Sequence, residues 1–561
     1  MAFYTMFGPL GLEMGNPGNP GPATRYMDAL PPETILKILR EVDVPTLVLI
    51  KRVCRRWNTL ISNDAHLQCK IEFALSGLLE PPPQSLSAAD QLAAIRTRDR
   101  AWRSLEWDRW ASFYPFNHSH IFVVMGNIIG QQSHRSNAIW FTRIPSRRLG
   151  TAVEHWSVEI EPEIDVLEFR MDPDQDLLMI GEQVRPGSDP NAGVKMHLRS
   201  LRTGQAHPQA HVTPYIIDVE HADPRQMHCE PEILGDQICV LWFDEGGFWQ
   251  CQVTVFNWKT GIKRIEIVEH DIHSIAFLDE DHIFLAFPHV GDIMEPIILV
   301  YDMREHTAER TSVEQETFHC GLLLPPVFDS FIADDVFIRS DAAHINSHSL
   351  PLPRRRTQID TVVSISVRCS SRRKEAGVRM SADGMRRSLV IYSPASVVRS
   401  GIAQVAPGTI VPWETWGPPS TCIDMGGARS DGSNGQFLVS GMRALKLSNL
   451  GNFDMMQVFD FDPARLSKTM CEWQVERRRQ ALTGYRTLGR DEWERLRFYA
   501  HSVVQNGYWH HTEYRGTIPF FYRAVPLPDE LKGKGKGARW YLTDDAVVLK
   551  VWTKVSCSLS P

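Results

Sequence analysis

The chain has 561 residues, 43% apolar and 23% charged, an ordinary globular composition with ample material for buried cores. Sixty Lys and Arg against 67 Asp and Glu leave a net charge of −7, which argues against general nucleic-acid binding, whose affinity comes mostly from neutralised phosphates. The apolar runs are short, Pro45 and Thr46 interrupting even the stretch from Val44 to Ile50, so no segment is expected to span a bilayer.

Met1 to Met14 carries no basic residue and is broken by Gly8, Pro9 and Gly11, unlike a signal peptide. The stretch from Gly8 to Pro22 is rich in Gly, Pro and Asn and reads as a flexible leader, here placed at residues 1–25. Ten cysteines with no Cys-x-x-Cys pair indicate neither a structural zinc site nor a redox pair. Cys54, Cys69, Cys239 and Cys251 sit among apolar neighbours, as free thiols in a reducing compartment do, so cytosol or nucleus is expected. The sequon at Asn117 then has no role.

From Leu30 to about Trp110 the periodicity is helical. Ile35, Ile38, Leu39 and Val42 form an amphipathic stripe, with Pro31 and Pro32 suited to the first turn. A second short helix starts at Pro45 and carries Leu47, Val48 and Ile50. A third stripe is Val53, Trp57, Leu60 and Ile61, with Lys51, Arg52, Arg55 and Arg56 on the opposite face. A fourth carries Leu67, Ile71, Leu75 and Leu78 and is ended by Pro81 to Pro83. A fifth is capped at Ser87, with Asp90 three residues on, and runs through Leu92, Ile95, Trp102 and Leu105.

After about residue 112 short β-type runs alternate with Gly, Pro, Asp and Asn clusters. Two divergent pieces recur. One is an acidic turn followed by an apolar strand, at Asp174–Ile180, Gly235–Trp242, Asp279–Ala286 and Asp544–Trp552. The other is a strand ending in a tight turn, at His197–Gly204, Val253–Gly261, Ile298–Arg304 and Met456–Asp462. The pieces alternate, and Asp176, Asp236 and Asp281 fall 60 and 45 residues apart. Such spacing predicts one small antiparallel sheet per repeat, packed on its neighbours around a ring. Between Val253 and Trp258 both faces are partly apolar, as a blade packed on two sides requires. The fold class is therefore α+β multidomain, with a large all-β domain read as a β-propeller. Irregular insertions are expected near 305–385 and 465–500.

The order Leu30-Pro31-Pro32-Glu33-Thr34-Ile35-Leu36-Lys37-Ile38-Leu39, a Leu-rich short helix, then Val53-Cys54-Arg55-Arg56-Trp57-Asn58-Thr59-Leu60 resembles the F-box. Thr34, Val44 and Thr46 depart from its usual aliphatic residue, Pro and Asp. The resemblance implies a three-helix module at 26–72, a helical linker at 73–112 and a substrate-selecting β domain at 113–561. The wider layout looks like a group of fungal F-box proteins. The implied partners are a Skp-type adaptor, through it a cullin–RING ubiquitin ligase, and an unknown protein substrate. The implied interface or its support is Leu30, Pro31, Ile35, Ile38, Leu39, Leu47, Val53, Cys54 and Trp57. A helical cluster this small cannot enclose all its apolar side chains, and each gains about 1.5–3 kcal/mol on full burial. The bland alternative is a helical core that packs only on its own chain.

Other signals are weak. His118 and His120 share a strand face but lack a third metal ligand, and His510, His511 and Glu513 are no better placed. Arg354 to Arg356 read as a basic loop or an import signal, Lys532 to Gly537 lacks the context of a phosphate loop, and Asp544 and Asp545 read as turn residues. No nucleophile-elbow or metalloprotease motif occurs. No catalytic residue, cofactor, metal, nucleic acid or membrane partner is assigned. A propeller-type enzyme and a non-ubiquitylating partner of the adaptor stay open as alternatives.

Overall fold

In the computed structural model the residues described are 30–76, 86–105, 109–113, 119–133, 137–146, 151–182, 194–219, 227–244, 247–304, 310–313, 318–327, 331–341, 360–371, 387–424, 438–450, 453–463, 465–470, 496–499, 502–504, 514–526, 539–543, 546–551 and 554–559. Two units result, Met1–Leu75 with Pro83–Arg96, and Ser76–Pro82 with Thr97–Pro561.

The first unit is helical. α1 (Pro32–Glu41) opens on proline at its first position, where no N–H is required, and buries Ile35 and Leu39. α2 (Val44–Val53) is capped by Asp43, whose carboxylate accepts from the Thr46 amide at 2.8 Å. α3 (Arg55–Asn63) follows after the single extended residue Cys54. α4 (Ala65–Ser76) is capped by Asp64, which accepts from the Leu67 amide at 2.8 Å. Ile35, Leu39, Leu47, Ile61, Leu67 and Ile71 form one core. Lys70 on α4 donates to the carbonyls of Arg40 and Val42, both at 2.8 Å, and so satisfies the end of α1. α5 (Ala88–Ser104) has the expected cap, the Asp90 amide donating to Ser87 Oγ at 3.2 Å and that hydroxyl donating to the Asp90 carboxylate at 2.6 Å.

The second unit contains the expected β-propeller. Six sheets follow one another along the chain. Blade one is built on Ser119–Met125, Ile128–Ser133, Ala138–Arg143 and Glu154–Glu159, and blade two on Val166–Asp172, Leu177–Glu182, Val194–Ser200 and Tyr215–Ile217. Blade three uses Met227–Leu234, Gln237–Asp244, Gly247–Asn257 and Lys263–Glu269, and blade four Ser274–Phe277, His282–Phe287, Ile297–Asp302 and Cys320–Leu323. The short strand Thr409–Val411 joins blade four in parallel. Blade five is Phe331–Ser340, Val362–Ser371, Arg387–Pro394 and Thr421–Asp424. Blade six is Leu438–Ser440, Arg443–Leu450, Phe453–Asp460 and Phe520–Pro526, with Leu496–Tyr499 at its edge.

A composite sheet closes the ring. Arg539–Leu542, Ala546–Val551 and Lys554–Leu559 take Arg109–Phe113 as their outer strand, with Arg109 opposite Leu559. The β unit thus starts a few residues before the boundary at 113 that periodicity suggested. The closing sheet packs on blade one through Phe122, Ile129, Ala546 and Val548.

The two recurring sequence pieces are the second and third strands of the blades. In all six consecutive blades one backbone clamp ties them. The residue just after the third strand donates its N–H to the carbonyl just before the second: Ile144 to Asn127, Leu201 to Asp176, Trp258 to Asp236, Met303 to Asp281, Ala395 to Thr361 and Phe461 to Met442, at 2.7–3.0 Å. All six donors are buried, so the clamp fixes a strand junction while its side chain fills the core between blades. Phe256 and Trp258 join the core toward blade two, and Val253 and Val255 the core toward blade four, as the two-faced register required.

The span 305–385, expected as an irregular insertion, instead contributes Cys320–Leu323, Phe331–Ser340 and Val362–Ser371 to the ring. Long intervening segments hide the repeat there. Of 465–500, the residues 471–495 lie outside those described. So do the leader, Asn117, His118, Arg354 to Arg356, His510, His511, Glu513, Lys532 to Gly537, Asp544 and Asp545, and the side chain of His120.

Candidate protein-docking surface

A helix that carries apolar side chains all round cannot bury them in a module this small. α2 is such a helix. Its Leu47 is fully enclosed, whereas Val48 is 39%, Leu49 57% and Val53 73% exposed. Leu49 and Val53, four residues apart, stack on one face of the helix. On α1, Ile38 is 45% exposed while Ile35 and Leu39 on the inner face are buried. Eleven large hydrophobic side chains are exposed among the described residues, and four of them fall between positions 38 and 53. That concentration makes this stretch the candidate docking surface.

The residues singled out from sequence divide into three groups. Ile35, Leu39 and Leu47 are core residues of the module. Leu30 and Trp57 are half-buried and pack against that core. Pro31, Ile38, Val53 and Cys54 are exposed. Cys54 is thus not among enclosing apolar neighbours, unlike Cys69, Cys239 and Cys251, which are buried. Cys54 lies where α2 gives way to α3, and its extended backbone turns the chain between them.

Val48 and Leu49 are absent from the expected interface set. Their signal was the uninterrupted run Leu47-Val48-Leu49-Ile50, in which at most half the positions can face inward. Exposed Lys37, Arg52, Arg55 and Arg56 surround these apolar positions in sequence and give the module a basic character. The scaffold beneath is held by Asp64. Burial alone would raise its carboxyl, but the Leu67 amide and the Arg40 guanidinium hold it below the ordinary range.

The β unit offers concave surface. A cleft of about 740 Å³ is lined by the inter-strand turns of blades two to four, including Asp174, Asp176, Asp236, Lys259 and Asp281. Buried thiols are held protonated by desolvation, with Cys251 and Cys320 each pushed up to about 12. Among the described residues no cluster of three or more His, Cys, Asp or Glu is placed to hold a metal ion. No helix among them is long and apolar enough to cross a membrane.

Residues 27–71 match the F-box-like family model. No curated protein matches the chain. Among solved structures, the uncharacterized protein lmo1340 from Listeria monocytogenes EGD-e is 9% identical, over 62% of this chain and 81% of its own, with a TM-score of 0.31. The polysaccharide lyase Uly1 is 8% identical, over 78% and 89%, with a TM-score of 0.36. Drosophila Semaphorin 2a is 7% identical, over 81% and 76%, with a TM-score of 0.33. Likenesses this distant carry no inference about activity. The chain therefore combines an F-box-like helical module with a β-propeller.

Proposed function

We propose that this chain, an F-box-like module followed by a β-propeller, is the substrate-recognition adaptor of a Skp–cullin–F-box ubiquitin ligase in the cytosol or nucleus. The observation that carries the reading is the exposure of four apolar side chains, Ile38, Val48, Leu49 and Val53, on a module that matches that family. Water-exposed apolar area of this kind is stabilised by a complementary helical groove, and F-box domains generally meet a Skp1-type adaptor. The propeller supports the second half of the reading. Its closed sheets hold turns in fixed positions, as recognition of a protein client requires.

On this reading the chain performs no bond chemistry. It raises the local concentration of a client lysine beside a ubiquitin carrier held elsewhere in the assembly, and the rate gain is one of proximity.

Co-purification of a Skp-type adaptor with the full chain tests the proposal. The wild type should retain the adaptor, and the double variant Ile38→Asp, Leu49→Asp should lose it while keeping its far-ultraviolet dichroism. A wild type that does not bind overturns the function. Equal binding by both proteins overturns the assigned surface.

A further inference from the structure

Within the second unit, a small cleft lies between the end of α5 and blade six. Arg103, Arg443, Arg465, Lys468 and Arg523 line it against the carboxylates of Asp99 and Asp460, and with Asp462, which pairs with Arg465, five cations face three carboxylates. Two of these arginines are deeply placed, Arg443 and Arg523 each being 7% exposed. An arginine cannot relieve such crowding by releasing its proton near neutral pH, so a buried excess of this kind calls for an anion.

The polar groups are unequally engaged. Asp460 accepts from Arg465 Nε and Nη2, each at 2.9 Å, and lies 3.4 Å from Arg443 Nε. Arg465 is otherwise engaged by Asp462 at 2.9 Å and by the Ser76 carbonyl at 2.9 Å. Arg443 is different. Its remaining contact is with the face of Trp102, 5.0 Å from the ring centroid. Neither of its terminal amino groups has a hydrogen-bond partner among the described residues. The Thr469 hydroxyl, on a residue 5% exposed in the same wall, also has none among them. Burial and the neighbouring Arg465 push the Arg443 guanidinium down to about 10, the mark of a cation short of counter-charge.

The free volume is about 50 Å³, room for a few waters or one compact tetrahedral group and too little for an extended peptide. A guanidinium with unengaged terminal amino groups, beside a hydroxyl and further cations, is the chemistry that binds the oxygens of a phosphate. We propose that this cleft is a binding site for a single compact oxyanion of the phosphate type, held by Arg443, Lys468, Arg523 and Thr469. The site lies wholly within the second unit, and its occupancy would brace the end of α5 against blade six.

Titration of the full chain at fixed ionic strength tests this, using inorganic phosphate, pyrophosphate and a phosphoserine peptide. Heat of binding and the apparent Tm are followed, with chloride as control. Saturable one-to-one binding of inorganic phosphate is expected, with a rise in Tm that chloride does not reproduce. Arg443→Met should weaken binding at least tenfold, the loss of a charge-assisted pair of hydrogen bonds. Lys468→Met and Thr469→Val should each weaken it several-fold, with the Tm in phosphate-free buffer unchanged. They carry the test alone if Arg443→Met does not fold. Absence of saturable phosphate binding overturns the proposal. So do equal affinities for wild type, Lys468→Met and Thr469→Val, or binding of the peptide alone.

Discussion

The Arg40 guanidinium lies 2.9 Å from the Asp64 carboxylate, which also caps α4 through the Leu67 amide at 2.8 Å. One side chain thus joins the end of α1 to the start of α4. The two bonds are unequal. An N-cap contributes about 0.5–2 kcal/mol, an exposed ion pair about 0–1 kcal/mol. Asp64→Ala should therefore speed hydrogen exchange at the Leu67 amide far more than Arg40→Ala does. Because the folded Asp64 carboxyl titrates below its ordinary value, its stabilisation is complete above about pH 4 and lost as pH falls through the depressed value. Exchange at Leu67, corrected for intrinsic rates, should rise below that point in wild type and stay flat in Asp64→Asn.

Leu47 and Leu49 differ by two positions and by everything in environment, one being 0% and the other 57% exposed. Leu47→Ala should cost the helical module about 2–5 kcal/mol, as cavity-forming core changes do. Leu49→Ala should change stability by less than about 0.5 kcal/mol. Adaptor affinity should fall for Leu49→Ala at constant Tm. Denaturant melts and a binding titration on both variants separate the two roles.

Asp176 sits in the left-handed region, φ +55°, at the clamp of blade two. Its carboxylate accepts from Ser200 Oγ at 2.6 Å and from the Arg202 amide at 3.1 Å. Asn tolerates that backbone and keeps one acceptor oxygen, whereas Ala does neither. Asp176→Ala should lower the apparent Tm more than Asp176→Asn, by an amount near 0.5–1.5 kcal/mol for a part-buried hydrogen bond lost. An equal effect of both would show that the backbone clamp, common to both variants, carries the junction.

His282 and Asp279 pair at 2.8 Å on the turn entering the second strand of blade four. Burial opposes the imidazolium, yet the Asp279 carboxylate raises the folded pKa above 6.5. A raised base stabilises below the unfolded value and loses that contribution as pH rises through the folded one. Asp279 titrates below 3.8 and keeps its share down to acidic pH. Stability of wild type should thus fall slightly between pH 6 and pH 8 relative to His282→Gln, measured by urea midpoints.

Legibility in the sequence followed the reach of each interaction. The helical module was readable because its caps and stripes lie within four residues of one another, as at Ser87 and Asp90. Second and third blade strands were readable because an acidic or Gly-bearing turn adjoins each. Gly204 and Gly261 both take φ +72°, and a Cβ there would collide with Val158 and His211. The first and fourth strands have no such neighbouring signal. Three strands between 320 and 371 were missed because the segments between them break the period. Arg109–Phe113 was beyond any local reading, since its partner strand ends at Leu559. In the helical module the sequence could not sort buried Leu47 from exposed Leu49, because a run apolar on every side carries no orientation.

The pairing of Arg109 with Leu559 has a consequence in time. Among the described strands, those made last must capture one made near the start of the β region, so the circle stays open until residue 559 has been made. Until residue 559 has left the ribosome, the edges at the seam lack their mates and expose bare amides and carbonyls. A premature stop in the closing sheet should therefore harm the whole ring, including blades whose own residues are intact.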